Sequence, residues 1–225
     1  MNAKKQKYRI LIADDHPLIR DGLAQMLKQM SFLELVAEVG DGHKALVAVE
    51  ETQPDLAILD VDMPGLNGLE LARQFQKLDS APLVILLTMH KNEGVFNKAI
   101  DLGIKHYVLK DETVNGIRQA IDCALANEPY LSPRLAPFIL RRRKRMTTLL
   151  EEHSELSSLT VTELAVLKHV TKDQTNKEIG SQMGISHRTV GTHRNNISRK
   201  LALRGPHALI HFALDHKAEL LRLPT

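Results

Sequence analysis

The sequence predicts two folds in series: a doubly wound α/β domain on a five-stranded parallel sheet, then a smaller all-α helix-turn-helix domain. Three observations predict it. Short apolar runs alternate with amphipathic segments through the first 127 residues, the pattern of a parallel sheet with right-handed crossovers and helices on both faces. After residue 158 the apolar spacing is helical throughout, and each segment opens on a capping pattern. Charge divides at the same place. Residues 1–130 carry 14 Lys and Arg against 19 Asp and Glu, whereas residues 131–225 carry 16 against 8. An acidic half suits cations and protein partners, and a basic half suits nucleic acid.

The expected strands are YRILIA (8–13), LELVAEV (33–39), DLAILD (55–60), LVILLT (83–88) and HYVL (106–109). Helical patterns lie between and after them, near 17–30, 43–52, 68–78, 92–102 and 112–127, with Gly103 as a C-cap before the last strand. This defines a first domain over 1–128. Residues 129–156 bring three prolines, the basic cluster RRRKR (141–145) and a Ser-rich stretch, and read as a linker with a helical stretch around 135–150. The basic cluster is either a phosphate contact or a solvated linker face. The second domain covers 157–225. Thr160-x-x-Glu163 and Thr175-x-x-Glu178 are capping boxes opening helices that end near Thr171 and Gly184. Ser186-x-x-Thr189 starts a longer helix to about Leu201, and a last amphipathic helix spans 206–217. A short helix, a Gly-containing turn and a second helix form the helix-turn-helix pattern.

Composition excludes several classes. The chain of 225 residues is 43% hydrophobic and 25% charged, an ordinary globular mixture. No apolar run approaches membrane length. The start, MNAKKQKYRI, is basic, but no long apolar stretch follows it, so a secretory leader is not expected. The single cysteine, Cys123, forbids an internal disulfide and fits a reducing compartment. A cytoplasmic protein with no membrane partner is the expectation.

The stretch LDVDMPG (59–65) places Asp60 and Asp62 where an apolar strand ends. A turn explains such residues, but so does a reactive carboxylate at the carboxyl edge of a parallel sheet. The other strand ends favour the second reading. Strand one runs into Asp14 and Asp15, strand four ends in Thr88, and Lys110 follows strand five. In a doubly wound sheet these residues converge. Clustered carboxylates need a cation, and hard oxygen ligands suit Mg²⁺. A carboxylate can attack phosphorus to give an aspartyl phosphate, with the metal and a lysine neutralising the transferring group.

Residues 8–127, through ADDHPLIRDGL, LDVDMPGLNGLEL, LLTMH and LGIKHYVLKD, resemble the receiver domain of a two-component response regulator. The whole chain resembles the NarL/FixJ class. The resemblance implies a flavodoxin-like fold with strand order 2-1-3-4-5. It implies that Asp60 is the phosphoacceptor and that Asp15 binds Mg²⁺ directly, with Asp14 assisting. Asp62 would supply a backbone carbonyl to the metal, and Lys110 would pair with the phosphoryl group. Thr88 and Tyr107 would form the switch pair. Two residues depart from the family pattern. Met89 follows the switch hydroxyl where a small residue is usual, and its bulk bears on access to Asp60. His106 stands where glycine is frequent, either constraining Tyr107 or lying exposed.

The segment LTVTELAVLKHV…TNKEIGSQMGISHRTVGTHRNNISRKL (159–201) resembles a LuxR-type DNA-binding domain. At about 100° per residue Val190, Ile197 and Leu201 share one stripe and should pack inward. Arg188, Thr192, Asn195 and Arg199 fall opposite, offering two guanidinium groups, an amide and a hydroxyl to phosphates and base edges. Thr189, His193 and Lys200 complete the expected DNA-binding set. Gly191 belongs to it as the position where the family usually carries a DNA-contacting lysine. His193 is read as a capping or phosphate contact.

The resemblance implies a sensor histidine kinase and double-stranded DNA as partners, with RNA polymerase a further candidate. It implies a homodimer formed on phosphorylation. The dimer surface is either around the fourth helix and its flanking strands or the first and fifth helices. Ala208, Leu209, Phe212 and Ala213 offer a dimer face in the output domain, with core packing the competing explanation. The chain is expected not to be an enzyme beyond Mg-dependent self-phosphorylation and autodephosphorylation. A phosphatase rests on the Asp60-x-Asp62 spacing alone and leaves Asp14, Asp15 and the second domain unexplained.

Overall fold

Alternation of buried side chains builds the sheet. In the computed structural model, which describes residues 7–89, 91–112 and 114–223, β1 (Tyr8–Ala13), β2 (Leu33–Val39), β3 (Leu56–Asp60), β4 (Leu83–Thr88) and β5 (His106–Leu109) form the expected strands. The start of the basic N-terminus, His90 at the end of LLTMH, Thr113 in the expected 112–127 helix and the last two residues lie outside the described residues. All pairings are parallel, in the order β2-β1-β3-β4-β5, and a sixth strand, β6 (Tyr130–Leu131), joins β5.

Side chains along β1 and β3 alternate between two cores. Leu11, Ala13, Ala57 and Leu59 face one, and Ile10, Ile12, Leu56 and Ile58 face the other. Both faces are dry because α2 (Gly42–Thr52), α3 (Gly68–Phe75) and α4 (Glu93–Asp101) line the first. The second is covered by α1 (Pro17–Lys28) and α5 (Val114–Leu125). This two-sided burial explains why the strands read as continuous apolar runs. Gly103 adopts φ +78 just beyond α4, the left-handed position expected of a residue ending a helix.

The segment expected to be a linker is structured. Ser132 is buried, its N–H donates to Tyr107 O at 3.0 Å, and its Oγ accepts the Leu109 N–H at 2.8 Å. These bonds hold β6 on the sheet edge, where β5 would otherwise leave its amides unpaired. A 17-residue helix, α6 (Ala136–Glu152), follows. Leu135 and Phe138 pack into the first core. The chain accordingly divides into compact units at 138/139.

The second unit is helical. α7 (Val161–Val170) and α8 (Asn176–Met183) open on complete capping boxes, Thr160/Glu163 and Thr175/Glu178. Gly184 ends α8 at φ +68, and Ser186 caps α9 (His187–Lys200) by accepting the Thr189 N–H at 3.0 Å. The turn is tight at Gly180, where a Cβ would stand 2.6 Å from Ile185 O. The expected 206–217 helix is two pieces, α10 (Ala208–Asp215) and α11 (Lys217–Leu220), separated by the non-helical His216. The His216 ring lies against Phe212 and His153. Leu209, Phe212 and Ala213 are buried in this unit's own core with Val166, Ile179, Val190 and Ile197. Core packing therefore accounts for those residues of the expected dimer face.

Candidate functional site

The carboxyl ends of the parallel strands meet at one sheet edge, where open α/β folds place their sites. Asp14 and Asp15 follow β1, Asp60 and Thr88 end β3 and β4, and Lys110 follows β5. Lys110 Nζ lies 2.8 Å from Asp14 Oδ2 and 2.6 Å from Asp60 Oδ2. His16 Nδ1 lies 2.6 Å from Asp15 Oδ1, 3.5 Å from Asp14 Oδ1 and 3.8 Å from Asp60 Oδ2. Asp14, Asp60 and Thr88 are buried. The loop after β3 turns back sharply on the site. Gly68 donates to Val61 O at 3.1 Å, and a Cβ there would stand 2.3 Å from Asp60 O, so no larger residue fits.

Negative charge exceeds positive in this pocket. Burial pushes the Asp60 carboxyl up to about 6, opposed by the Lys110 ammonium and by the Asp62 N–H, and reinforced by Asp14. The Asp62 N–H lies 3.2 Å from Asp60 Oδ1, while the Asp62 side chain is exposed. Asp14, Asp15, His16 and Asp60 each present a ligand atom within 4.8 Å of the others. Asp14 Oδ2 and Asp60 Oδ2 share the Lys110 ammonium, and Asp15 Oδ1 meets His16 Nδ1. Three carboxylates gathered around one ammonium are a donor set that fits a hard divalent cation such as Mg²⁺.

The expected switch pair, Thr88 and Tyr107, adjoins the pocket. Tyr107 is buried, and burial pushes its phenol up to about 12 while the neighbouring Thr88 hydroxyl opposes the rise. Its ring meets Phe96 edge-on, centroids 5.5 Å apart, and Phe96 in turn meets Phe138 at 5.6 Å. Three aromatic rings thus connect Tyr107 to the first turn of α6. His106 is buried, not exposed, with Nδ1 3.3 Å from Val84 O and Nε2 2.9 Å from Glu128 O. Met89 is half exposed beyond β4.

In the second unit, α9 buries Val190 and Ile197, and Leu201 beyond it is also buried; Arg188, Thr189, Thr192, Asn195 and Arg199 are exposed. Gly191 and His193 are half-buried, and His193 Nδ1 has no hydrogen-bond partner. Lys200, one of the expected DNA contacts, is engaged within this unit. Lys200 Nζ donates to Glu163 Oε2 at 2.6 Å and to Ser158 O at 2.9 Å, so its ammonium ties α9 to the start of α7. Sequence reasoning also assigned no role to Arg194. Its NH1 donates to Asn176 Oδ1 at 2.9 Å, fastening α9 to the first residue of α8, and burial lowers its pKa. His16 was missed as well, although ADDHP sets it beside both carboxylates.

A receiver-type sheet with an acidic strand-end pocket, joined to a helix-turn-helix with a basic exposed face, defines a class, the DNA-binding response regulators. Residues 10–122 match the response regulator receiver domain, and residues 157–213 match the bacterial regulatory proteins of the luxR family. The chain belongs to the LuxR-family response regulators. It is 34% identical to the transcriptional regulatory protein LiaR of Bacillus subtilis, over 86% of this chain and 90% of that one. It is 32% identical to the nitrate/nitrite response regulator protein homolog of Haemophilus influenzae, over 88% and 91%. Among solved structures, a LuxR-family two-component response regulator from Aurantimonas sp. SI85-9A1 aligns with a TM-score of 0.57 at 32% identity. It covers 61% of this chain and 99% of its own. The protein is therefore a transcription regulator. No helix among the described residues is long and apolar enough to cross a membrane.

Proposed function

We propose that a sensor histidine kinase phosphorylates Asp60 and that this controls DNA binding by α9. The observation that carries the reading is the buried Asp60 carboxylate at the end of β3, 2.6 Å from Lys110 and adjoining Asp14. Asp60 Oδ attacks the phosphorus of the donor, the bond from phosphorus to the donor atom breaks, and an aspartyl phosphate remains. Asp14, Asp15, Asp60 and the Asp62 carbonyl would hold Mg²⁺, which supplies positive charge to the transferring phosphoryl oxygens. Lys110, which follows β5 at the same sheet edge, would pair with the same oxygens. Thr88 is the hydroxyl that can donate to the phosphoryl group, and Tyr107 packs behind it.

The exposed Arg188, Thr189, Thr192, Asn195 and Arg199 supply the DNA face. Gly191 and His193 border it. Homodimerisation on phosphorylation would present two such helices to two half-sites, with RNA polymerase recruited at the promoter. All of this takes place in the cytoplasm. Acetyl phosphate with Mg²⁺ should place one acid-stable, base-labile phosphoryl group on the protein, and Asp60→Ala should abolish it. Label persisting in that variant would reject the assignment.

A further inference from the structure

We propose that the Asn176 side-chain amide, held by Arg194, donates to a phosphate oxygen of the operator backbone beside Gly191. The inference rests on the reading of α9 as the DNA face. Its basis is the way one amide is turned. Arg194 NH1 meets Asn176 Oδ1 at 2.9 Å. A guanidinium can only donate, so the atom facing it must be the carbonyl oxygen. The NH₂ group is thereby directed away from Arg194 and lies beside Gly191, where a Cβ would stand 3.5 Å from Asn176 Nδ2. Nδ2 donates to no acceptor among the described residues.

Gly191 follows the exposed Arg188 by three residues and precedes the exposed Asn195 by four, so it borders the DNA face on the side of α8. Having no side chain, it leaves the ground between that face and Asn176 open. The carboxylate of Glu178 already occupies the first turn of α8, accepting the Thr175 N–H and hydroxyl at 2.7 Å each, so the helix end itself is not the phosphate site. In a helix-turn-helix the first helix crosses the sugar–phosphate backbone while the second enters the groove, and Asn176 is the first residue of α8. With Oδ1 taken by Arg194, the amide cannot make the two-bond contact by which asparagine reads adenine. A phosphate oxygen needs only the donor that remains.

The probe is a duplex selected from a random pool by the full-length protein treated with acetyl phosphate and Mg²⁺. Ethylation interference then maps the phosphates on which binding depends. Asn176→Asp keeps an acceptor for Arg194 but exchanges the NH₂ donor for a negative oxygen. It should unfold in urea at or above the wild-type midpoint, yet bind the duplex about 10-fold more weakly or worse. Ethylation of one phosphate per half-site, inhibitory for wild type, should no longer weaken the variant. Asn176→Ala should lose sensitivity at the same phosphate. Wild-type affinity in Asn176→Asp, or an interference pattern that both variants leave unchanged, overturns the proposal and makes Asn176 only a bridge between α8 and α9. Wild-type binding by both Arg188→Ala and Arg199→Ala would defeat the reading of α9 itself, and the proposal with it, a result the Asn176 variants alone cannot give.

Discussion

Replacing Lys200 with methionine separates a structural lysine from a DNA-contacting one. The ammonium bridges Glu163 Oε2 and Ser158 O, and methionine keeps the apolar stem while removing both bonds. Glu163 is 5% exposed in its side chain and Lys200 28%. A hydrogen bond to a charged group contributes about 1.5–3 kcal/mol. Water reaches the partly exposed Lys200, and Glu163 keeps the Thr160 N–H at 2.8 Å, so the low end, about 1.5 kcal/mol, applies. That corresponds to roughly tenfold faster exchange of protected amides in α7 and α9, measured by hydrogen–deuterium exchange on the full chain. The effect has a pH signature. Burial works to raise the Glu163 carboxyl, but Lys200 and Thr160 outweigh it and hold the group below its ordinary value. A lowered carboxylate contributes stability that is complete above its unfolded value and is lost as pH falls through the folded one. The difference between wild type and Lys200→Met should therefore be full at neutral pH and fade as pH drops below about 4.5. The salt dependence of DNA binding should not change. Unchanged exchange, with a salt slope shallower by about 0.9, would refute the bridge and return Lys200 to the phosphate backbone.

Other outcomes follow from the same geometry. Gly191 lies in regular helix, and a Cβ there would meet Asn176 Nδ2 at an ordinary 3.5 Å, so Gly191→Ala should stabilise α9 by about 0.5–1 kcal/mol in thermal melts. Gly191→Lys should in addition steepen the salt slope of DNA binding by about 0.9 if the helix face has room for a phosphate contact, and weaken operator binding if only hydrogen fits. Ser132→Ala leaves the buried Leu109 N–H without its acceptor and should cost about 1–3 kcal/mol in urea unfolding followed by tyrosine fluorescence. In EDTA, Asp60, held at about 6, binds a proton in the folded state that the unfolded chain releases earlier, so stability should fall as pH rises from 4 towards 6. Asp60→Asn should flatten that slope in the same urea assay.

The strand-end residues were legible because topology alone brings them together. Once residues 8–13, 55–60, 83–88 and 106–109 read as parallel strands, Asp14, Asp60, Thr88 and Lys110 must share an edge. The capping boxes at Thr160 and Thr175 were legible because both partners lie within one helical turn. β6 was not. Two residues after Pro129 carry no period, and what pairs them is Ser132 meeting Leu109 across 23 positions. Lys200 hid its bridge for a related reason. Its spacing on α9 places it near the exposed face, and only a partner 37 residues earlier draws it away. His106 resisted reading because nothing local announces that its two acceptors come from β4 and from the turn after α5.

If Asp60 is the phosphoacceptor as proposed, the rings from Tyr107 through Phe96 to Phe138 would make signal duration a property of the segment that follows the sheet. Coupling between two places in a molecule is reciprocal in free energy. If the phosphoryl state at Asp60 biases how Tyr107 packs, then anything that repositions Phe138 biases how well that state is tolerated. Substitutions around residues 132–138, beyond the matched receiver segment that ends at 122, would then lengthen or shorten the life of the proposed aspartyl phosphate without touching a carboxylate. On that reading the clock of the response would be set in part by residues whose composition reads as a spacer.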